Sequence, residues 1–161
     1  NTRFFMSLTI ISGGQTGVDR AALDEALDAG ADVDGWCPQG RRAADGPLDA
    51  RYPLRETPSG AYAQRTAWNV RDSDATLIMA PIPPSGGTKW TATCAAQWQR
   101  PVWIAAVRTP KPVPLHVPRL MHWLATHQIQ RLNVAGPRAS EAEAAYTISA
   151  ALIRALLQGY P

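Results

Sequence analysis

The chain has 161 residues, 45% of them hydrophobic and 18% charged, with a net charge of +3. That length carries a substantial core, and the balance excludes a disordered chain. The basic residues are scattered rather than gathered in the stripe or tail of a nucleic-acid binder, and the modest charge suits a small anion better.

Residues 8–12 read as a first strand. It feeds Ser12-Gly13-Gly14-Gln15-Thr16-Gly17-Val18-Asp19-Arg20, a glycine-rich turn opening into a helix. Such a turn lets backbone N–H groups converge on an anion. Thr16 and Asp19 have the spacing of a capping box, Leu23, Ala26 and Leu27 share a face, and Gly30 stands where a helix stops. Residues 4–11 could pass for a signal core after Arg3. No small-x-small cleavage site follows, and the strand needs the same residues, so a leader is rejected. Residues 1–5 read as a cloning remnant before a start at Met6. No apolar run approaches the roughly 20 residues of a membrane span.

A short second strand covers 33–36. Residues 37–60 form a long proline- and glycine-rich loop or lid in which Arg41, Arg42, Arg51 and Arg55 are candidates to cover a polyanion, Arg41 foremost. A helix follows over 61–71, then a strand over 74–80 that is apolar on both faces. Residues 81–87 make a second glycine turn, opening a helix over 88–99. A strand over 102–107, an extended connector over 109–118 and a short helix over 119–127 come next. The last strand, 130–135, ends in Gly136-Pro137-Arg138, and Ser140 with Glu143 reads as the capping box of a final helix stopped by Gly159.

Five alternations of strand and helix imply an α/β fold with a mainly parallel sheet of about five strands and helices on both faces, in one domain over 1–161. All strand-to-helix turns then share the carboxyl edge of the sheet, where ligands bind. If the first and third strands are neighbours, their turns face each other. The candidate ligand site is therefore Gly13, Gly14, Gln15, Thr16, Gly17, Asp19, Arg20 and Arg41, with Ser85, Gly86, Gly87, Thr88 and Lys89, and with Gly136, Pro137, Arg138 and Ser140. Glycines admit a phosphate close to the backbone, hydroxyls donate, and Arg138 offers a bidentate fork. Asn69 or Arg71 could reach the same place, and Trp36 or Trp90 could stack on a heteroaromatic ring.

The spacing matches neither the dinucleotide Gly-x-Gly-x-x-Gly nor a Walker motif. His116, His122 and His127 lie away from the turns, and no nucleophile with its base can be assembled. Cys37 and Cys94 lack metal or disulfide spacing and read as reduced thiols of a cytoplasmic protein.

The stretch 11–24 resembles the opening signature of the putative molybdenum carrier family. Gly35-Trp36-Cys37-Pro38, Gly40-Arg41-Arg42-Ala43, residues 52–57, Arg65-Thr66, residues 68–76, Gly86-Gly87-Thr88 and residues 132–138 match it as well. The resemblance spans nearly the whole chain from Ser7. It implies a Rossmann-like three-layer sandwich, related to the Lonely Guy phosphoribohydrolases and the lysine-decarboxylase-like group. It further implies a homo-oligomer, commonly a tetramer. The implied role is to bind the molybdenum cofactor (phosphorylated molybdopterin) or a molybdenum oxyanion such as molybdate, protect it and deliver it. Molybdoenzymes or cofactor-synthesis proteins would be the donors or acceptors. The phosphoribohydrolases carry a glutamate soon after their glycine-threonine turn, whereas this chain reads Thr88-Lys89-Trp90-Thr91-Ala92-Thr93-Cys94. A carrier is thus expected before an enzyme on a nucleotide-like ligand. An oligomeric scaffold with a vestigial pocket is the third reading.

Overall fold

Each apolar run ahead of a glycine turn becomes a strand of one parallel sheet. The computed structural model describes residues 8–80, 83–106, 108 and 113–158. In chain order the elements are β1 (Thr9–Ile11), α1 (Val18–Asp28), β2 (Val33–Asp34), β3 (Trp36–Cys37), β4 (Arg55–Glu56), α2 (Tyr62–Arg71), β5 (Ala75–Met79), α3 (Gly86–Gln97), β6 (Val102–Ala105), α4 (Val113–Thr126), β7 (Arg131–Ala135) and α5 (Ala145–Leu157). The sheet order is β2-β1-β7-β5-β6, with every pair parallel. The readings of residues 1–5, Met6 and Gly159, and parts of the second turn and of the proline connector, fall outside the described residues.

The order corrects one expectation. β1 and β5 are not neighbours, because β7 lies between them: Ile10 pairs with Leu132, and Leu77 with Val134. The third glycine turn is therefore central, not peripheral.

The sheet is covered unequally. On one face α1, α4 and α5 pack Val18, Leu120, Leu124, Ile148 and Leu152 onto Ile10, Leu77, Leu132 and Val134. The other face, under α2 and α3, has a far smaller apolar cluster of Val70, Cys94 and Ala95. The loop after β3 packs Leu48, Tyr52 and Leu54 against Leu23 of α1, and β3 and β4 pair within it as a small parallel ladder.

Four helix starts differ from the sequence reading. α4 begins at Val113, not 119, and holds Pro118 inside. The buried stripe Val113, Val117, Leu120 and Leu124 has helical spacing, and its burial outweighs the hydrogen bond that Pro118 removes. α3 begins at Gly86. α5 begins at Ala145, so no Ser140–Glu143 box forms; instead Glu141 accepts the Arg138 N–H at 3.2 Å. α1 is capped by Gly17 rather than Thr16.

One carboxylate ties the loop to two helices. Asp24 of α1 accepts from Tyr52 Oη (2.5 Å), Tyr146 Oη of α5 (2.5 Å) and Arg51. Partial burial pushes its carboxyl up, but the hydrogen bonds from Tyr146, Tyr52 and Arg51 outweigh that and hold it below the usual carboxylate range. A lowered native pKa contributes stability that is full above the unfolded value near 3.9 and is lost as pH falls through the native one. Asp24→Asn is expected to destabilise the protein by about 1–2 kcal/mol at neutral pH. The gap between variant and wild type should close below about pH 4, measured by urea denaturation at stepped pH.

Candidate functional site

Parallel pairing puts the turns after β1, β7 and β5 along one edge. There a cleft of about 310 Å³ opens between α2 and α3, the size of a small-molecule site. Its walls come from four places. The turn after β1 gives Gly13, Gln15 and Asp19; α2 gives Tyr62, Ala63, Arg65, Thr66 and Asn69; α3 gives Gly86, Gly87, Thr88, Trp90 and Thr91; β7 and its turn give Asn133 to Gly136, Arg138 and Glu141.

The start of α3 is an anion-directed feature. Ser85 caps it in extended conformation, without a side-chain hydrogen bond. Among the described residues the N–H groups of Gly86 and Gly87 donate to nothing. Gly86 sits at φ +52°, in the left-handed region that favours glycine. Unpaired N–H groups and the helix dipole together attract negative charge.

The opposite wall holds a buried ion pair. Arg65 is 8% exposed, and its Nη1 donates to Asp19 Oδ2 at 3.2 Å. The Gln15 N–H donates to the same oxygen at 3.3 Å. Burial pushes the Asp19 carboxyl up, against the pull of Arg65 and of that N–H. Arg65 Nε has no partner among the described residues. Gly13 is required here, since a Cβ on it would come within 2.2 Å of Arg65 Nη1.

Of the residues expected at the site, Gly13, Gln15, Asp19, Gly86, Gly87, Thr88, Gly136 and Arg138 line the cleft. Gly14, Thr16, Gly17, Arg20, Arg41, Ser85, Lys89, Pro137 and Ser140 do not. Several of these hold the edge together. Thr16 Oγ1 accepts the Ala139 N–H and Pro137 O accepts the Val18 N–H, stitching the first turn to the third. Arg20 donates to Gly14 O and pairs with Asp45.

The loop arginines are engaged within the protein rather than over the cleft. Arg41 donates to the carbonyls of Leu48, Leu54, Asp49 and Tyr52, and so staples its own loop. Arg42 reaches Gly60 O, Arg51 reaches Asp24, and Arg55 lies 4.1 Å from the Trp36 ring centre. Trp36 also donates to Asp72 and lies away from the cleft, whereas Trp90 lines it. Asn69 lines the cleft and Arg71 does not.

The sequence reading did not single out Tyr62, Arg65 or Asn133 as site residues. The signal for the first two was a polar stripe on α2, Tyr62-Arg65-Thr66-Asn69, at the spacing of a face turned inward. The phosphoribohydrolase glutamate has no counterpart in this stretch: Thr91 lines the cleft, and its Oγ1 donates to Gly87 O. The carboxylates that line the cleft, Asp19 and Glu141, each pair with an arginine.

These features define a Rossmann-like α/β protein with a polar cleft where the strand order reverses. Counting cyclically from β7, the order becomes 3-2-1-4-5, that of the dinucleotide-binding fold, with the reversal between β7 and β5. Residues 10–157 match the model of cpYpsA, the circularly permutated YpsA SLOG family, and the chain belongs to that family. It is similar to the crystal structure of a putative molybdenum carrier protein from Syntrophus aciditrophicus SB, with 39% identity and a TM-score of 0.88 over 92% of this chain and 94% of that one. No curated protein matches. Among the described residues no helix is long and apolar enough to cross a membrane.

Removing Arg65 leaves the buried Asp19 carboxylate with the Gln15 N–H but without its contacting countercharge. Arg65→Met is expected to lose about 3–5 kcal/mol at neutral pH. Arg65 pulls the Asp19 pKa down against the burial that raises it, so in the variant Asp19 titrates higher still; the deficit is full above the variant's value and shrinks as pH falls from there toward the wild-type one. Urea denaturation from neutral to acid pH measures this, and a deficit constant with pH would contradict it.

Proposed function

We propose that the protein is a carrier whose cleft binds a phosphorylated molybdenum-bearing pterin, the molybdenum cofactor, or a related oxyanion such as molybdate. The supporting observation is the pair of N–H groups at Gly86 and Gly87 that have no partner among the described residues, in the same cleft as Arg65 and Arg138. Oriented backbone donors, a helix dipole and arginine forks are the groups that hold a phosphate. The similarity to a solved protein named as a molybdenum carrier supplies the class of cargo. The metal comes with the cargo: among the described residues no three His, Cys, Asp or Glu side chains gather to hold one.

The cleft favours retention over hydrolysis. Asp19 is held through Oδ2 by Arg65 and the Gln15 N–H, and Glu141 through Oε1 by Arg138, so each carboxylate in the cleft is engaged with an arginine. A homo-oligomer that receives cargo from cofactor-synthesis proteins and hands it to molybdoenzymes in the cytoplasm completes the reading. Cys37 and Cys94, free and buried, fit that compartment.

Arg138→Ala removes a charged donor from the half-exposed side of the cleft. It should weaken binding of a phosphorylated ligand by about tenfold or more and leave the fold intact, read by calorimetric titration and thermal melting. Binding equal to wild type would count against this cleft as the anion site.

A further inference from the structure

The two faces of β7 differ in kind. Leu132 and Val134 lie in the apolar core with α1, α4 and α5. Asn133, between them, falls on the other face beneath α2 and α3. It is 3% exposed, in register with Thr76 of β5, and its Nδ2 donates to Thr76 Oγ1 at 3.3 Å. Its Oδ1 has no partner among the described residues, yet it is not among the polar atoms sealed from solvent. Asn133 lines the cleft. A buried carboxamide with an open acceptor, on the central strand of a sheet, is a group awaiting a partner.

The other carboxamides of the cleft are differently placed. Asn69 has both its oxygen and its nitrogen engaged, accepting the Trp36 N–H at 2.7 Å and donating to Trp36 O at 2.9 Å. Gln15 Oε1 accepts two backbone N–H groups, and its Nε2 is sealed from solvent. Among the described residues Asn133 is the one of these three whose oxygen has no partner. Trp90 rises at the mouth, 38% exposed, its Nε1 held by Ala63 O at 3.0 Å, so α3 is tied to α2 there. Aromatic surface at the mouth and a carboxamide at the floor are the fittings for a flat ring with a polar edge.

We infer that Asn133 reads the edge of a planar nitrogen heterocycle inserted between α2 and α3. Its Oδ1 accepts a ring N–H, and its remaining amide hydrogen donates to the adjacent carbonyl. The ligand class is a phosphorylated heterocycle with a lactam-type N–H and C=O edge, a chemistry shared by pterins and guanine. This rests on the carrier reading for the phosphate end, which lies toward Gly86, Gly87 and Arg138, and adds the specificity of the ring end.

Calorimetric titration of the full chain with inorganic phosphate, ribose 5-phosphate, guanosine monophosphate and a phosphorylated pterin tests it. The expected result is at least one heterocycle bound tenfold or more tighter than ribose 5-phosphate; the two heterocycle arms show whether the source is pterin or nucleotide. In Asn133→Ala and Asn133→Ser that ratio should fall to near one. Asn133→Asp, which keeps the shape and loses the donor, should give an intermediate ratio and reads the same effect if the smaller side chains do not fold. Phosphate binding without a heterocycle preference, or a preference that survives these substitutions, would overturn the Asn133 assignment and leave the phosphate cradle standing. Asn133-dependent heterocycle binding without any response to Arg138→Ala would do the reverse. No binding of any probe would overturn both.

Discussion

The position of β7 governs the molecule. This last strand enters the sheet between β1 and β5 and hydrogen-bonds to both. Parallel pairing then brings three turns, far apart in sequence, to one edge. The Gly136 turn takes the centre, where it touches the first turn: Val18 N–H bonds to Pro137 O, and Gly17 is so close that a Cβ would lie 2.5 Å from that oxygen. Gly136 itself is pressed against Met79 O and Val18. Side chains at these two positions would force the turns apart.

From that arrangement follows a division of labour between the faces of the sheet. One face buries its aliphatic residues against three helices and carries most of the apolar burial. The other is lined near the carboxyl edge by Thr76, Asn133, Thr91, Asn69 and Arg65, all buried and polar. Burying so many polar groups is unfavourable unless each finds a partner. Most do within the protein; among the described residues Asn133 Oδ1, Arg65 Nε, Gln15 Nε2 and the Gly86 and Gly87 N–H groups do not, and these residues line one cleft. The Asp19–Arg65 pair shapes the wall between them, holding the guanidinium against Gly13.

Much of this was legible from the chain alone. Apolar runs ending in glycine turns mark strands whose local chemistry suffices to recognise them, and the resemblance running from Ile11 to Arg138 pointed to the family. The strand order was not legible, because pairing of β7 with β1 and β5 is a contact between distant segments with no local signature. Helix starts shifted where tertiary burial overrode local preference, as at Val113, and the last helix starts at Ala145, beyond the expected box at Ser140 and Glu143. Arg41 read as a loop cation that could cover a bound anion; only the folded loop shows its fork filled by four carbonyls. Arg65 and Asn133 were hidden for a related reason: a polar residue within an element reads as a surface position until the neighbouring layer is known to be polar too.

The account stands on three turns acting as one anion site. Amide spectra of isotope-labelled protein, recorded during titration with inorganic phosphate, test that most directly. The amides of Gly86, Gly87, Gly13 and Arg138 should shift together along one saturating curve. Shifts gathered on another surface, or separate curves for the separate turns, would contradict it.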